Sequence, residues 1–287
     1  MKYFLLLVIF LTTTFIVTAQ EFNSIPEMEK KSFEKELAIS KVTYPGDSTI
    51  DVTYYKLDLK ATSNPNYLIG KVQINAKPAS SGLNNFFLDL QNTLTVDSIK
   101  LGNTKLAFTH NDAKINITLD QTYPTNEEFS MIVYYQGTLG SSGFGSFEFG
   151  TQDGTANGEP VIWSLSEPYG ASDWWPCKDT PADKADSSDV WITCDETFTG
   201  VSNGTLISTV DNGDNTHTFK WKNIYPIAQY LISIAVTNYE KYVNYFHYNN
   251  NGVPDSMPIT HYLYPEKLSS IKAQLDETPN MIKVFSG

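Results

Sequence analysis

The residues of this chain best equipped for chemistry gather between Trp163 and Lys184, in the order Trp-Ser-Leu-Ser-Glu-Pro-Tyr-Gly-Ala-Ser-Asp-Trp-Trp-Pro-Cys-Lys-Asp-Thr-Pro-Ala-Asp-Lys. Glu167 and Asp179 are carboxylates, suited to charge-assisted hydrogen bonds with a cationic group. Three of the five tryptophans of the chain stand beside them. Proline fixes its own φ and restricts the residue before it, so Pro168, Pro176 and Pro181 give this loop a set shape. Rigid loops present side chains for binding. A glutamate on a loop is ordinarily a solvated surface acid. Asp179, in an Asp-x-Pro turn, reads as an acceptor for backbone N–H groups rather than a catalytic acid. Trp174 and Trp175 read as core or interface anchors.

Metal chemistry calls for a different pattern. The four histidines are His110, His217, His247 and His261, and none has a second histidine four residues on. Two imidazoles need that i, i+4 spacing to meet one zinc ion from a helical face. No zinc site of that helical kind is therefore expected within this chain. His261 reads as a lone strand histidine. Cys177 and Cys194 are the only cysteines. Their even number in a chain that reads as exported makes them a disulfide candidate, with two buried thiols as the alternative.

The elements that must position this loop are strands. Tyr55, Leu57 and Leu59 alternate with Lys56, Asp58 and Lys60, and Val72, Ile74 and Ala76 alternate with Lys71, Gln73 and Asn75. Period two marks a strand with one buried face. Phe86–Leu90 and Phe129–Tyr135 repeat it, and the segments between read as hairpins with Gly102-Asn103 and Asn111-Asp112 turns. Gly137–Gly158 is rich in Gly and Ser but carries Phe144, Phe147 and Phe149. It reads as an ordered loop packed near the Trp163–Lys184 segment. Strands resume at Asp189–Cys194, Thr205–Val210, His217–Trp221 and Tyr230–Val236, with turns at Asn203-Gly204 and Asn212-Gly213. Met257–Leu263 reads as one further strand. A helix over Pro265–Leu275 follows, with Leu268, Ile271 and Leu275 on one face. A second helix is expected to use Thr278 as N-cap and Pro279 in its first turn. Short strands at this spacing predict a mainly β fold of packed antiparallel sheets, a sandwich or saddle.

Composition bounds the partners. The 287 residues carry a net charge of −12. Residues 1–19 join Lys2 to an apolar run ending Val17-Thr18-Ala19, the pattern of a secretory signal peptide rather than a stable membrane span. Cleavage removes Lys2 and no acid, leaving 19 basic against 32 acidic residues. A secreted, periplasmic or cell-surface location is expected. No basic cluster is visible along the sequence, so nucleic acid is excluded as an expected partner.

The Trp163–Lys184 segment resembles a signature of the zinc aminopeptidases of the aminopeptidase N and leukotriene-hydrolase type, the gluzincins. In that family a Gln or Glu stands nine residues before a Pro-Cys-x-Asp-x-Pro turn, here Glu167 ahead of Pro176-Cys177-Lys178-Asp179-Thr180-Pro181. Ser202–Leu206 and Pro226–Ile232 also look like landmarks of the family's N-terminal β domain. The resemblance implies a signal peptide at 1–19, a polar leader at 20–44, and an N-terminal β-sandwich domain at 45–245. Residues 257–287 would then be the truncated start of a thermolysin-like α+β catalytic domain. It implies peptides with a free N-terminus as substrates, zinc as the cofactor, and a downstream catalytic domain as this domain's own partner. The family's H-E-x-x-H helix and G-x-M-E-N strand are absent from the sequence. The chain alone is therefore expected to be inactive, its zinc ligands lying downstream. Within it, the resemblance assigns Glu167 to the substrate amine, aimed by a Glu167–Pro168 bond for which a cis peptide is accessible. Pro168, Tyr169 and Gly170 would line the same substrate-binding site. Asp173-Trp174-Trp175 departs from the Ala-Arg pair common in the family, which leaves the preferred N-terminal residue open. The alternative reading is a non-catalytic β-sandwich that binds peptides or glycans.

Overall fold

A computed structural model describes residues 46–139, 146–155 and 157–286. The expected signal peptide, the leader at 20–44 and Phe144 lie outside the described residues. The fold is mainly β, as the alternation predicts.

Its backbone is an eight-stranded sheet. In spatial order the strands are Thr205–Asp211, Thr216–Asn223, Ser187–Asp195, Ile50–Ser63, Asn66–Pro78, Phe129–Gly137, Thr95–Leu101 and Thr104–Lys105. Every pairing in it is antiparallel except one: Ile50–Ser63 runs parallel to Ser187–Asp195. The alternation works as the sequence requires. Leu57, Leu59, Val72, Ile74, Met131, Val133, Val190 and Ile192 are buried on one face, and Lys56, Asp58, Lys71 and Gln73 stand on the other. Each aliphatic side chain moved from water into such a core contributes about 1.5–3 kcal/mol.

Two smaller sheets cover the apolar face. Leu83–Asp89, Lys114–Tyr123 and Ala107–Asn111 form one. The other orders Thr199–Ser202, Ile234–Thr237, Pro160–Ser164 and Phe147–Thr151. Phe86, Leu88, Ile117, Phe147, Ile162 and Val236 from these sheets join the large sheet's aliphatics in one continuous core. The Asn203-Gly204 turn carries the chain from the four-stranded sheet into the eight-stranded one. Gly204 has φ +86°, and a Cβ there would collide with the Lys222 carbonyl.

Four expectations are corrected. Phe147–Thr151 is a strand, not a loop, because its alternating phenylalanines pair along Pro160–Ser164. Within Tyr230–Val236, Gln229–Leu231 forms a 3₁₀ turn and the strand begins only at Ile234. The turn is fixed by the buried Gln229 amide, which donates to Asp179. The helix Thr278–Phe285 is preceded by Glu277 and has no side-chain cap, so Thr278 is its first residue rather than its N-cap.

The disulfide candidate is the fourth. Cys177 and Cys194 are free, buried thiols. The Lys178 N–H, next to Cys177, donates to the Tyr55 hydroxyl at 3.1 Å, and Tyr55 is level with Ser188. Cys194 lies six residues beyond Ser188, roughly 20 Å along the strand. A disulfide needs Cα atoms within about 7 Å.

After Thr237 the chain forms a long hairpin, Glu240–Asn250 with Val253–Leu263. It runs across the expected domain end at 245 and contains the expected strand at Met257–Leu263. The helices Leu268–Leu275 and Thr278–Phe285 follow it. Leu268, Ile271 and Leu275 share the half-buried face of the first, and the Asn244 amide donates to the Leu275 carbonyl at 2.8 Å.

Candidate functional site

The site begins where Pro160–Ser164 leaves the four-stranded sheet. That strand is paired on both sides, with Phe147–Thr151 and Ile234–Thr237. Its last residue is pinned as well: the Ile234 N–H donates to the Ser164 Oγ at 2.9 Å. The Leu165 N–H then donates to the Ser146 carbonyl at 3.2 Å.

Residues Ser166–Gly170 form a turn closed by the Gly170 N–H, which donates to the Ser166 carbonyl at 2.8 Å. Buried packing holds both of its ends. The Trp174 indole N–H donates to the Ser166 Oγ at 2.9 Å, and the Ser146 hydroxyl donates to Asp173. Gly170 is required by close approach, since a Cβ would overlap the Ser146 hydroxyl. Phe147 packs on Trp174 with ring centroids 5.2 Å apart, which brings the Gly/Ser-rich segment onto this loop as expected. Trp174 and Trp175 are fully buried and anchor the core.

At the crest of this fixed turn stands Glu167. Its side chain is exposed and has no hydrogen bond or ion pair among the described residues. The Glu167–Pro168 peptide is cis. Pro168 and Tyr169 are half-buried beside it and Gly170 is buried beneath. The four predicted site residues thus share one turn, with Glu167 alone presenting a free charged group to solvent.

The Pro-Cys turn below is clamped to the end of the strand Leu83–Asp89. Asp89 and Cys177 exchange both backbone hydrogen bonds, at 2.8 and 3.2 Å, and the Asp179 N–H donates to the Asp89 carboxylate at 2.9 Å. Asp179 accepts from the Ser172 N–H and hydroxyl, at 3.2 and 2.7 Å, and from Gln229 at 3.0 Å. It is the structural acceptor that the Asp-x-Pro pattern suggests. Lys178 is buried and donates to the Ile50 carbonyl and the Asp183 carboxylate, each at 2.6 Å.

Burial dominates the ionisation of this layer. It raises Asp179, and it pushes Asp89 up to about 7 against the opposing hydrogen bond from the Asp179 N–H. It also raises both thiols, Cys194 to about 12. A thiol so placed stays protonated and is a poor nucleophile. Asp89, Gln229, Ser146 and Ser166 fix the loop, yet nothing in the sequence marks them beyond their polarity at strand and turn ends.

Among the described residues, no three His, Cys, Asp or Glu side chains come together to hold a metal ion. His261 is stacked on Tyr242 and lies 3.2 Å from the Asn244 amide oxygen, which makes it a structural histidine. These residues do not fit a zinc site. No helix among them is long and apolar enough to cross a membrane.

The described residues thus form a saddle of β-sheets in which the Ser166–Gly170 turn presents the Glu167 carboxylate to solvent. The sequence profile of the Peptidase M1 N-terminal domain matches residues 51–231, and the chain belongs to that family. It is 26% identical over 200 residues to leucine aminopeptidase 2 of Vanderwaltozyma polyspora, covering 67% of this chain and 29% of that protein. The M1 zinc metallopeptidase of Deinococcus radiodurans superposes with a TM-score of 0.63 at 20% identity, over 76% of this chain and 48% of the other. A two-domain M1 zinc metallopeptidase mutant bound to L-arginine gives 0.64 at 20% identity, over 78% and 52%. The chain therefore spans less than a third of the curated relative and about half of the solved enzymes.

Proposed function

We propose that this domain works as the N-terminal part of a secreted zinc aminopeptidase that removes N-terminal residues from peptides. Glu167 receives the protonated amine of the substrate, and Pro168, Tyr169 and Gly170 shape the wall beside it. The observation that carries this reading is an exposed, unpaired carboxylate on a turn fixed at both ends. A carboxylate so held forms a charge-assisted hydrogen bond with an ammonium at little ordering cost.

The zinc ligands would come from a catalytic domain beyond the described residues, where the metal would supply an activated water. Exposed apolar side chains support such a partner. Val284 and Phe285 are 76% and 90% exposed, and Met281 and Met257 are exposed too. Solvent-facing apolar surface of this kind marks an interaction face. Secretion rests on the pattern of residues 1–19.

The test uses the complete gene product. It should release the N-terminal residue from peptides with a free amine, leave their N-acetylated forms intact, and lose activity to a zinc chelator. Equal cleavage of acetylated peptides would remove the amine-anchoring role. Absence of any peptidase activity from the zinc-loaded product would remove the enzyme reading.

A further inference from the structure

The outer face of the eight-stranded sheet gathers cations that are scattered along the sequence. Register aligns Lys220, Trp191, Asp58, Lys71 and Tyr134 in one row across five strands. The adjacent row aligns Lys222, Asp189, Lys56, Gln73, Ile132 and Lys100. With Lys60, these rows carry six lysines; the same face also holds Lys77 and the acids Asp51, Asp58, Asp97, Glu128, Asp189 and Asp195, on a chain whose net charge is −12. None of the six has an ion-pair partner within 4 Å among the described residues. Trp191 orders two of them: the ammonium groups of Lys56 and Lys220 lie 3.3 and 4.1 Å from its ring centroid.

Beside this row is a concavity of about 220 Å³, lined by Asp58, Lys60, Ile69, Lys71, Asp97 and Tyr134 among others. Its chemistry is mixed in a way that selects a ligand. Lys60 and Lys71 suit a carboxylate. Asp58 and Asp97 accept hydrogen bonds from hydroxyl groups, and Asp97 is already positioned by Gln136, 3.0 and 3.1 Å away. Tyr134, with the Lys100 ammonium 5.4 Å from its ring, is the aromatic surface of the concavity. A densely charged phosphate polymer would meet repulsion from the two aspartates. A sugar acid presents what fits: one carboxylate, several hydroxyl donors and an apolar C–H face.

We propose that this sheet face binds an acidic polysaccharide, with a uronic acid unit seated between Lys60, Lys71, Asp58, Asp97 and Tyr134. The strands lie about 4.8 Å apart, so the two lysine rows extend over several sugar units, and the remaining ammonium groups meet successive carboxylates. This surface is separate from the Glu167 turn. Its role is to hold the protein on a charged glycan matrix.

The test is affinity electrophoresis of the chain in gels containing polygalacturonate, its fully methyl-esterified form, or polyphosphate, with anionic phospholipid vesicles assayed by sedimentation. Retardation by polygalacturonate alone is expected, weakening as salt is raised. The double variant Lys60→Gln/Lys71→Gln, on the outer face of the sheet where neither side chain belongs to the core, should weaken it by about tenfold or more, the loss of two charge-assisted hydrogen bonds. No retardation by polygalacturonate, or retardation unchanged in the double variant, would overturn the proposal. Equal binding to polyphosphate or to vesicles would also overturn it, in favour of a general anion surface.

Discussion

Replacing Asp89 by asparagine should remove much of the pH dependence of stability between pH 5 and 8. Asp89 is clamped under the Pro-Cys turn, where its carboxylate accepts the Asp179 N–H. Burial raises its pKa from 3.8 to about 7. The folded state therefore holds this proton more tightly than the unfolded chain. The stabilisation it gives is complete below the unfolded value near pH 4 and is lost as pH rises through the folded value. A shift of roughly three units corresponds to about 4 kcal/mol in all, of which roughly 2–3 kcal/mol falls between pH 5 and 8. Asparagine keeps an acceptor for the Asp179 N–H but cannot ionise. Asp179 is raised as well, so the variant keeps some pH dependence. Urea unfolding at pH 5 and pH 8, followed through the buried Trp174 and Trp175, measures both slopes. Wild type should lose roughly 2–3 kcal/mol more than Asp89→Asn over this range. Equal losses in the two proteins would refute the raised pKa assigned to Asp89.

Lys178→Met should cost about 3–5 kcal/mol, because it strands the nearly buried Asp183 carboxylate without its partner, and the same urea titration would read it. Cys177 and Cys194 should both resist a thiol reagent in native buffer, and both should react without reductant once the chain is unfolded; failure of either to react in denaturant would point to a bridge. Gly170→Ala pushes a methyl group into the Ser146 hydroxyl and displaces the Glu167 turn. In the complete gene product it should therefore raise KM for peptides with a free amine, and an unchanged KM would show that this turn does not touch substrate.

Much of the large sheet can be read from the alternation of Tyr55, Leu57 and Leu59 and of Val72, Ile74 and Ala76, because one buried face imposes period two. Its parallel pair cannot. Ile50–Ser63 finds Ser187–Asp195 across more than a hundred residues, and no local pattern encodes that choice. Phe147–Thr151 was obscured by the glycines and serines around it, although Phe147 and Phe149 carried the period. The cysteines show the limit of counting, since an even number says nothing of the distance between them. The lysine face shows the limit of linear charge reading. Lys56, Lys71 and Lys220 are isolated in sequence, and only strand register brings them together. The Pro-Cys-x-Asp-x-Pro signature singled out Glu167 as a candidate, but the groups that fix its turn, Ser146, Ser166 and Trp174, are tertiary partners.

The central claim is tested most directly by Glu167→Gln in the complete gene product. The substitution keeps the shape of an exposed side chain and removes its charge, so stability should change by no more than about 0.5 kcal/mol. Loss of one charge-assisted hydrogen bond of about 1.5–3 kcal/mol should lower kcat/KM for a peptide with a free N-terminus by roughly ten- to a hundredfold. A kcat/KM equal to that of the unaltered enzyme would contradict the role of Glu167 as the amine anchor.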